Sequence, residues 1–216
     1  MTRKRWWIRS CMVVYLLVVS YYYLERLPIR FLLIDSMLAY VPLEIYFWIN
    51  WAQHKKSKVV LFLLYVLFLP NNAYLLTDLI HLSRIEFYQT SNVVMTDAIG
   101  IWAMYFLVVA GIFSLVALGF RSIRGIFARL SRRYHLSRRH QKGYLLVMFL
   151  LTSVGVFLGR FIRLNSVTFF SHPIQVLHTL KELLTIRALF FVVMFTCLQV
   201  ILYYWTAYQR KTSEVD

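Results

Sequence analysis

The sequence predicts an all-α fold, a six-helix transmembrane bundle with both termini cytoplasmic and a short interfacial helix before the last span. Three observations lead to it. The 216-residue chain is 60% hydrophobic and only 15% charged, whereas soluble domains carry about 25% charged residues. Six apolar stretches are long enough to cross a hydrocarbon core of about 30 Å, which takes about 20 helical residues. The basic residues, 24 against 9 acids, are distributed unevenly between alternate flanks of those stretches.

In chain order the spans run from Ile8 to Leu24, Phe31 to Asn50, Val59 to Leu82, Met95 to Phe120, Tyr144 to Arg163 and Arg187 to Tyr208. The first follows the basic opening "MTRKRWWIRS" and leads into "YYYLERL" with no small-residue cleavage site, so an uncleaved signal anchor is expected. The second and third each hold a proline in their interior, Pro42 and Pro70. The sixth is preceded by "SHPIQVLHTLKELLTIR". There Pro173 suits a first helical position, and Val176, Leu177, Leu180, Leu183 and Leu184 share a face, the pattern of the interfacial helix. Without low-complexity segments or solenoid-period repeats, residues 1–216 read as a single integral-membrane domain. Cys11 and Cys197 sit in apolar runs without partner spacing, so neither a disulfide nor a zinc site is expected.

Orientation follows from the charges. One set of flanks holds Arg3, Lys4, Arg5 and Arg9, then Lys55, Lys56 and Lys58, then "RSIRGIFARLSRRYHLSRRHQK" with no acid, then Arg210 and Lys211. The alternate set holds only Arg26, Arg30, Arg84, Arg160, Arg163, Lys181 and Arg187. Lys and Arg favour the cytoplasmic side, which places both termini there. In the basic run at 121–142, Ile123, Ile126, Phe127, Leu130 and Tyr134 recur at helical spacing. This is the pattern of an amphipathic helix on anionic inner-leaflet lipid, or else of an ordinary solvated loop. Nucleic acid is not called for, because six flanking spans already explain the charge.

The chemistry concentrates in "LPNNAYLLTDLIHL" at residues 69–82. Pro70 lies about 16 Å into the third span, near the bilayer midplane, where it removes a backbone hydrogen bond. A kink or local unwinding is expected, with Asn71 and Asn72 supplying substitute hydrogen bonds. Asn71, Tyr74, Asp78 and His81 fall on one helical face, opposite Leu75, Leu79 and Leu82, a lipid-facing or packing surface. In the fifth span, "GVFLGRFIRLNS" sets Arg160 and Arg163 one turn apart beside Asn165 and Ser166, and its Gly155 and Gly159 permit a close helix approach. A buried acid needs a counter-charge, so Asp78 is expected to pair with Arg160 or Arg163. Asp97 and Asp35 are further outer-side candidates, and Glu44 is expected to face Asn71 or Asn72 across the second and third spans.

Two segments carry a family resemblance. Pro70, Asn71, Tyr74, Thr77, Asp78, Leu79 and His81 match a Pro-Asn-x-x-Tyr-x-x-Thr-Asp-Leu-x-His pattern. Gly159, Arg160, Phe161, Arg163, Asn165 and Ser166 match Gly-Arg-Phe-x-Arg-x-Asn-Ser. The chain resembles a family of bacterial integral membrane proteins known as a domain of unknown function, family number 1361. The resemblance implies a multi-pass protein of the bacterial cytoplasmic membrane and brings no established activity.

Three functions compete. Paired arginines suit phosphate or carboxylate, so the first is binding or transport of an anionic small solute or lipid headgroup at an extracytoplasmic pocket formed by Asn71, Tyr74, Asp78, His81, Arg160, Arg163, Asn165 and Asp97. The second is an intramembrane enzyme acting on lipid or cell-envelope precursors through Asp78 and His81 as an acid/base pair. His81, His172 and His178 are weak candidates for metal ligands, at no recognised spacing, and no metal or cofactor is expected. The third is a membrane scaffold or accessory subunit in which the polar stripe is helix glue.

Overall fold

The computed structural model describes residues 3–25, 29, 31–84, 98–162 and 185–212. Its helices are α1 (Arg3–Leu24), α2 (Phe31–Ile49), α3 (Lys55–Asp78), α4 (Ile99–Tyr134), α5 (Arg138–Phe161) and α6 (Ile186–Thr212), with a 3-10 turn, Leu79–Arg84, continuing α3. Among the described residues, all six of these helices are long and apolar enough to cross a membrane and no strand occurs. The interfacial helix expected before the last span lies outside the described residues.

The core is built around α3, which packs against α2, α4 and α5; α1 packs on α2, and α6 on α5 and α4. Leu43, Tyr65, Leu75, Ile112, Phe149 and Val156 are among the side chains buried between them. Polar groups join the helices wherever a hydroxyl or amide can be fully partnered. The Tyr65 hydroxyl donates to Ser122 Oγ at 2.7 Å, which donates in turn to the Gly119 carbonyl. Between α5 and α6, Gln199 donates to Ser153 Oγ at 2.8 Å and to the Phe149 carbonyl, while Ser153 and Thr196 share a 2.8 Å hydrogen bond. Without water to compensate them, such groups hold helices together only in closed sets.

Three expectations are corrected. The unwinding at Pro70 does not occur, since α3 is continuous from Lys55 to Asp78 and changes its winding only at Leu79. The Pro70 ring lies against Gly155 of α5, where a Cβ would meet Pro70 Cγ at 2.6 Å. The proline is thus a knob in a glycine-sized hole. The basic run at 121–134 is also not a separate helix on the lipid surface. It continues α4, whose 36 residues span about 54 Å at 1.5 Å each, and its apolar stripe turns inward: Ile123 and Ile126 are buried and Phe127 packs against the core. Arg and Ala favour a helix even where hydropathy ends the span. A left-handed residue, His135 at φ 48°, then stops it, and Ser137 caps α5 by accepting from the His140 amide.

The third correction concerns Glu44. It meets neither Asn71 nor Asn72 but takes a bidentate pair from Arg9 of α1, at 2.8 and 2.6 Å, and a 2.7 Å hydrogen bond from Tyr40. Asn72 instead bridges three helices, donating to the Ala39 carbonyl of α2 at 3.3 Å and the Leu115 carbonyl of α4 at 2.9 Å. Because Arg9 and Glu44 keep about a quarter of their side-chain surface, Arg9→Gln is expected to cost only about 1 kcal/mol. Unfolding in detergent at low and high salt checks this, and a loss unchanged by salt would count against an electrostatic origin.

Candidate functional site

The last turn of α3, the turn after it and the end of α5 gather the polar groups. Asp78 is fully buried, and Arg160 Nη2 stands 3.1 Å from its Oδ1. The guanidinium is nevertheless aimed elsewhere. Its Nη1 donates to the Tyr74 hydroxyl at 2.8 Å and its Nη2 to the Thr77 carbonyl at 2.5 Å, with the Tyr74 ring 4.8 Å away in a cation–π contact. Among the described residues, neither Asp78 oxygen receives a hydrogen bond. The charges therefore touch without the aligned fork that usually joins arginine to a carboxylate.

Two further groups complete the cluster. His81 Nε2 lies 3.9 Å from Asp78 Oδ1, beyond hydrogen-bonding distance, and its ring packs on Phe31 at 4.3 Å between centroids. Asp35, one turn along α2 from Phe31, interacts electrostatically with both Asp78 and Arg160. Asp35 is thus a second carboxylate on the α2 side of this region, with the direct contact confined to Asp78 and Arg160. Asp35, Tyr74, His81 and Arg160 all keep some exposure, whereas Asp78 keeps none.

Of the residues singled out from sequence, Tyr74, Asp78, His81 and Arg160 meet here. Asn71, two turns earlier, donates to the Phe68 carbonyl of its own helix at 3.2 Å. Arg163, Asn165, Asp97, His172 and His178 lie outside the described residues. The face opposite the stripe is a packing surface, with Leu75 fully buried and Leu79 and Leu82 against the core, while the neighbouring Ile80 is exposed. Sequence reading missed the Thr77 carbonyl and the Phe31 ring as partners. The only signal for the carbonyl was that a helix end leaves acceptors free. Among the described residues, no three His, Cys, Asp or Glu side chains gather as a metal set would require.

A six-span helical bundle with an acid and an arginine facing each other at one end defines a multi-pass membrane protein with a polar centre. The chain belongs to the family described as "Protein of unknown function (DUF1361)", which matches residues 34–202. That match takes in both α3 and the Arg160 turn. No curated protein and no solved structure matches the chain.

Proposed function

We propose that the chain binds or transports a small anionic solute or lipid headgroup at the Asp35–Asp78–Arg160 cluster, and that this end of the bundle is extracytoplasmic in a bacterial cytoplasmic membrane. The observation that carries the reading is Asp78, a fully buried carboxylate whose oxygens lack a donor among the described residues. By contrast, Gln199 and Ser153, buried polar side chains that join α5 and α6, are hydrogen-bonded to one another. Arg160 supplies the counter-charge at 3.1 Å but aims its hydrogen bonds at Tyr74 and Thr77, which leaves acceptor capacity on Asp78 for a ligand.

The surroundings refine the ligand. Arg160 is already engaged by Tyr74 and Thr77, and a bare anion drawn to it would meet two carboxylates. A ligand whose anionic group neighbours an ammonium satisfies both signs, the anion on Arg160 and the ammonium on Asp78 and Asp35. The acid/base alternative has less support, since His81 stands 3.9 Å from Asp78 and neither group orients the other through a hydrogen bond.

Phosphoethanolamine is the probe, with ethanolamine and phosphate as separate arms, read by melting of the full chain in detergent. At ten times its dissociation constant, phosphoethanolamine is expected to stabilise the protein by about 1.4 kcal/mol. Each fragment alone is expected to do less, and Asp35→Asn should lose the ligand effect while melting like wild type without ligand. An absent shift, or an equal one in Asp35→Asn, rejects the reading.

A further inference from the structure

At the opposite end of α5 from Arg160, a cavity of about 690 Å³ opens between the last turns of α4 and α6 and the first turns of α5. Small-molecule sites occupy about 300–1,000 Å³. Its walls are of two kinds. Arg138 and Lys142, one turn apart on α5, supply charge with Gln141 between them, while Phe127, Tyr204 and Tyr208 supply apolar and aromatic surface. Among the described residues, neither cation has a carboxylate partner and no acid lines the cavity.

The depth of the groove points to its occupant. Trp6, Trp7, Trp48, Trp51, Tyr144, Trp205 and Tyr208 are all exposed, and they sit at the starts of α1 and α5, at the ends of α2 and α6, or just beyond. That places them all at the same end of the bundle as the groove. Exposed Trp and Tyr at span ends mark the headgroup level of a bilayer. A groove at that level, with cations at its rim and aromatic rings beside lipid-facing helices, matches a phosphodiester above a pair of acyl chains. We propose that the α4–α5–α6 groove holds one anionic phospholipid, its headgroup phosphate on Arg138 and Lys142 and its glycerol region against Tyr204 and Tyr208. The basic segment is then not a diffusely charged surface but includes a defined lipid site, separate from the Asp78 cluster.

Native mass spectrometry of the full chain released from micelles doped with phosphatidylglycerol or phosphatidylcholine tests this. Wild type is expected to retain one phosphatidylglycerol in preference to phosphatidylcholine. Arg138→Ala/Lys142→Ala should weaken retention about thirtyfold, at about 1 kcal/mol per charge near an anionic lipid surface, with melting unchanged because both side chains are exposed. Arg132→Ala/Arg133→Ala removes the same charge from the same segment outside the groove and should leave retention near wild type. Equal losses in the two variants, or no preference between the lipids, overturn the proposal. So does lipid retention that appears only after removal of residues 213–216, which would give the groove to Glu214 and Asp216 of the chain itself.

Discussion

Arg160→Ala is expected to destabilise the folded protein by about 3–5 kcal/mol, the cost of leaving a buried charge without its partner. The substitution removes the charge 3.1 Å from a carboxylate with no solvent exposure. It also leaves the Tyr74 hydroxyl without its donor and the Thr77 carbonyl without the hydrogen bond from Nη2. Arg160→Lys keeps the charge but cannot reach the hydroxyl, the carbonyl and the acid with one planar fork, so it should recover only part of the loss. Asp78→Asn in the Arg160→Ala background removes the orphaned charge, so the double variant should be more stable than Arg160→Ala alone. Unfolding in detergent, arranged as a double-mutant cycle, should give a coupling above about 1 kcal/mol. A variant lacking Arg160 that melts with wild type would mean that the contact contributes nothing to the folded state.

Gly119→Ala is expected to cost about 2–4 kcal/mol, although alanine is the better helix former by about 1 kcal/mol. A Cβ at this position would run into the Asn72 side chain. That amide is buried and committed to the Ala39 and Leu115 carbonyls, and the first of these lies in the turn that Pro42 leaves one donor short. Pushing Asn72 aside therefore unpairs groups on three helices at once. Asn72→Ala combined with Gly119→Ala frees the space the new methyl needs, so the pair should lose less stability than the two single changes added together. Strict additivity in the same unfolding assay would mean that Gly119 is small for some other reason.

Much of the architecture was readable because membrane spans announce themselves one at a time. Twenty apolar residues report their own state without any knowledge of neighbours. The meeting of Asp78 with an arginine of the fifth span was readable on similar grounds, since a lone buried acid demands a partner and few cations stand at that end. Rotation about each helix axis was not readable. Glu44 was set against Asn71 or Asn72 because two adjacent spans face each other, yet its partner is Arg9, on a helix that contributes little else to the core. Pro70 was expected to unwind its helix because its local effect is disruptive; nothing local disclosed that Gly155 would receive the ring. The length of α4 was missed because hydropathy measures where lipid ends, and the helix does not end there. The groove at Arg138 was missed too, since it exists only once three helix ends have been brought together.

The overshoot of α4 also bears on how the protein is inserted. The segment from Arg121 to Lys142 carries cations and no acid, and much of it is held in two helices joined by a three-residue turn. To invert this hairpin after synthesis, its eight charges would have to cross the membrane against the field, at about 2.3 kcal/mol per charge for each 100 mV. That amounts to about 18 kcal/mol per 100 mV before any desolvation is counted. On the cytoplasmic placement that the basic flanks predict, the α4–α5 hairpin is therefore the part of the chain whose inversion would cost most.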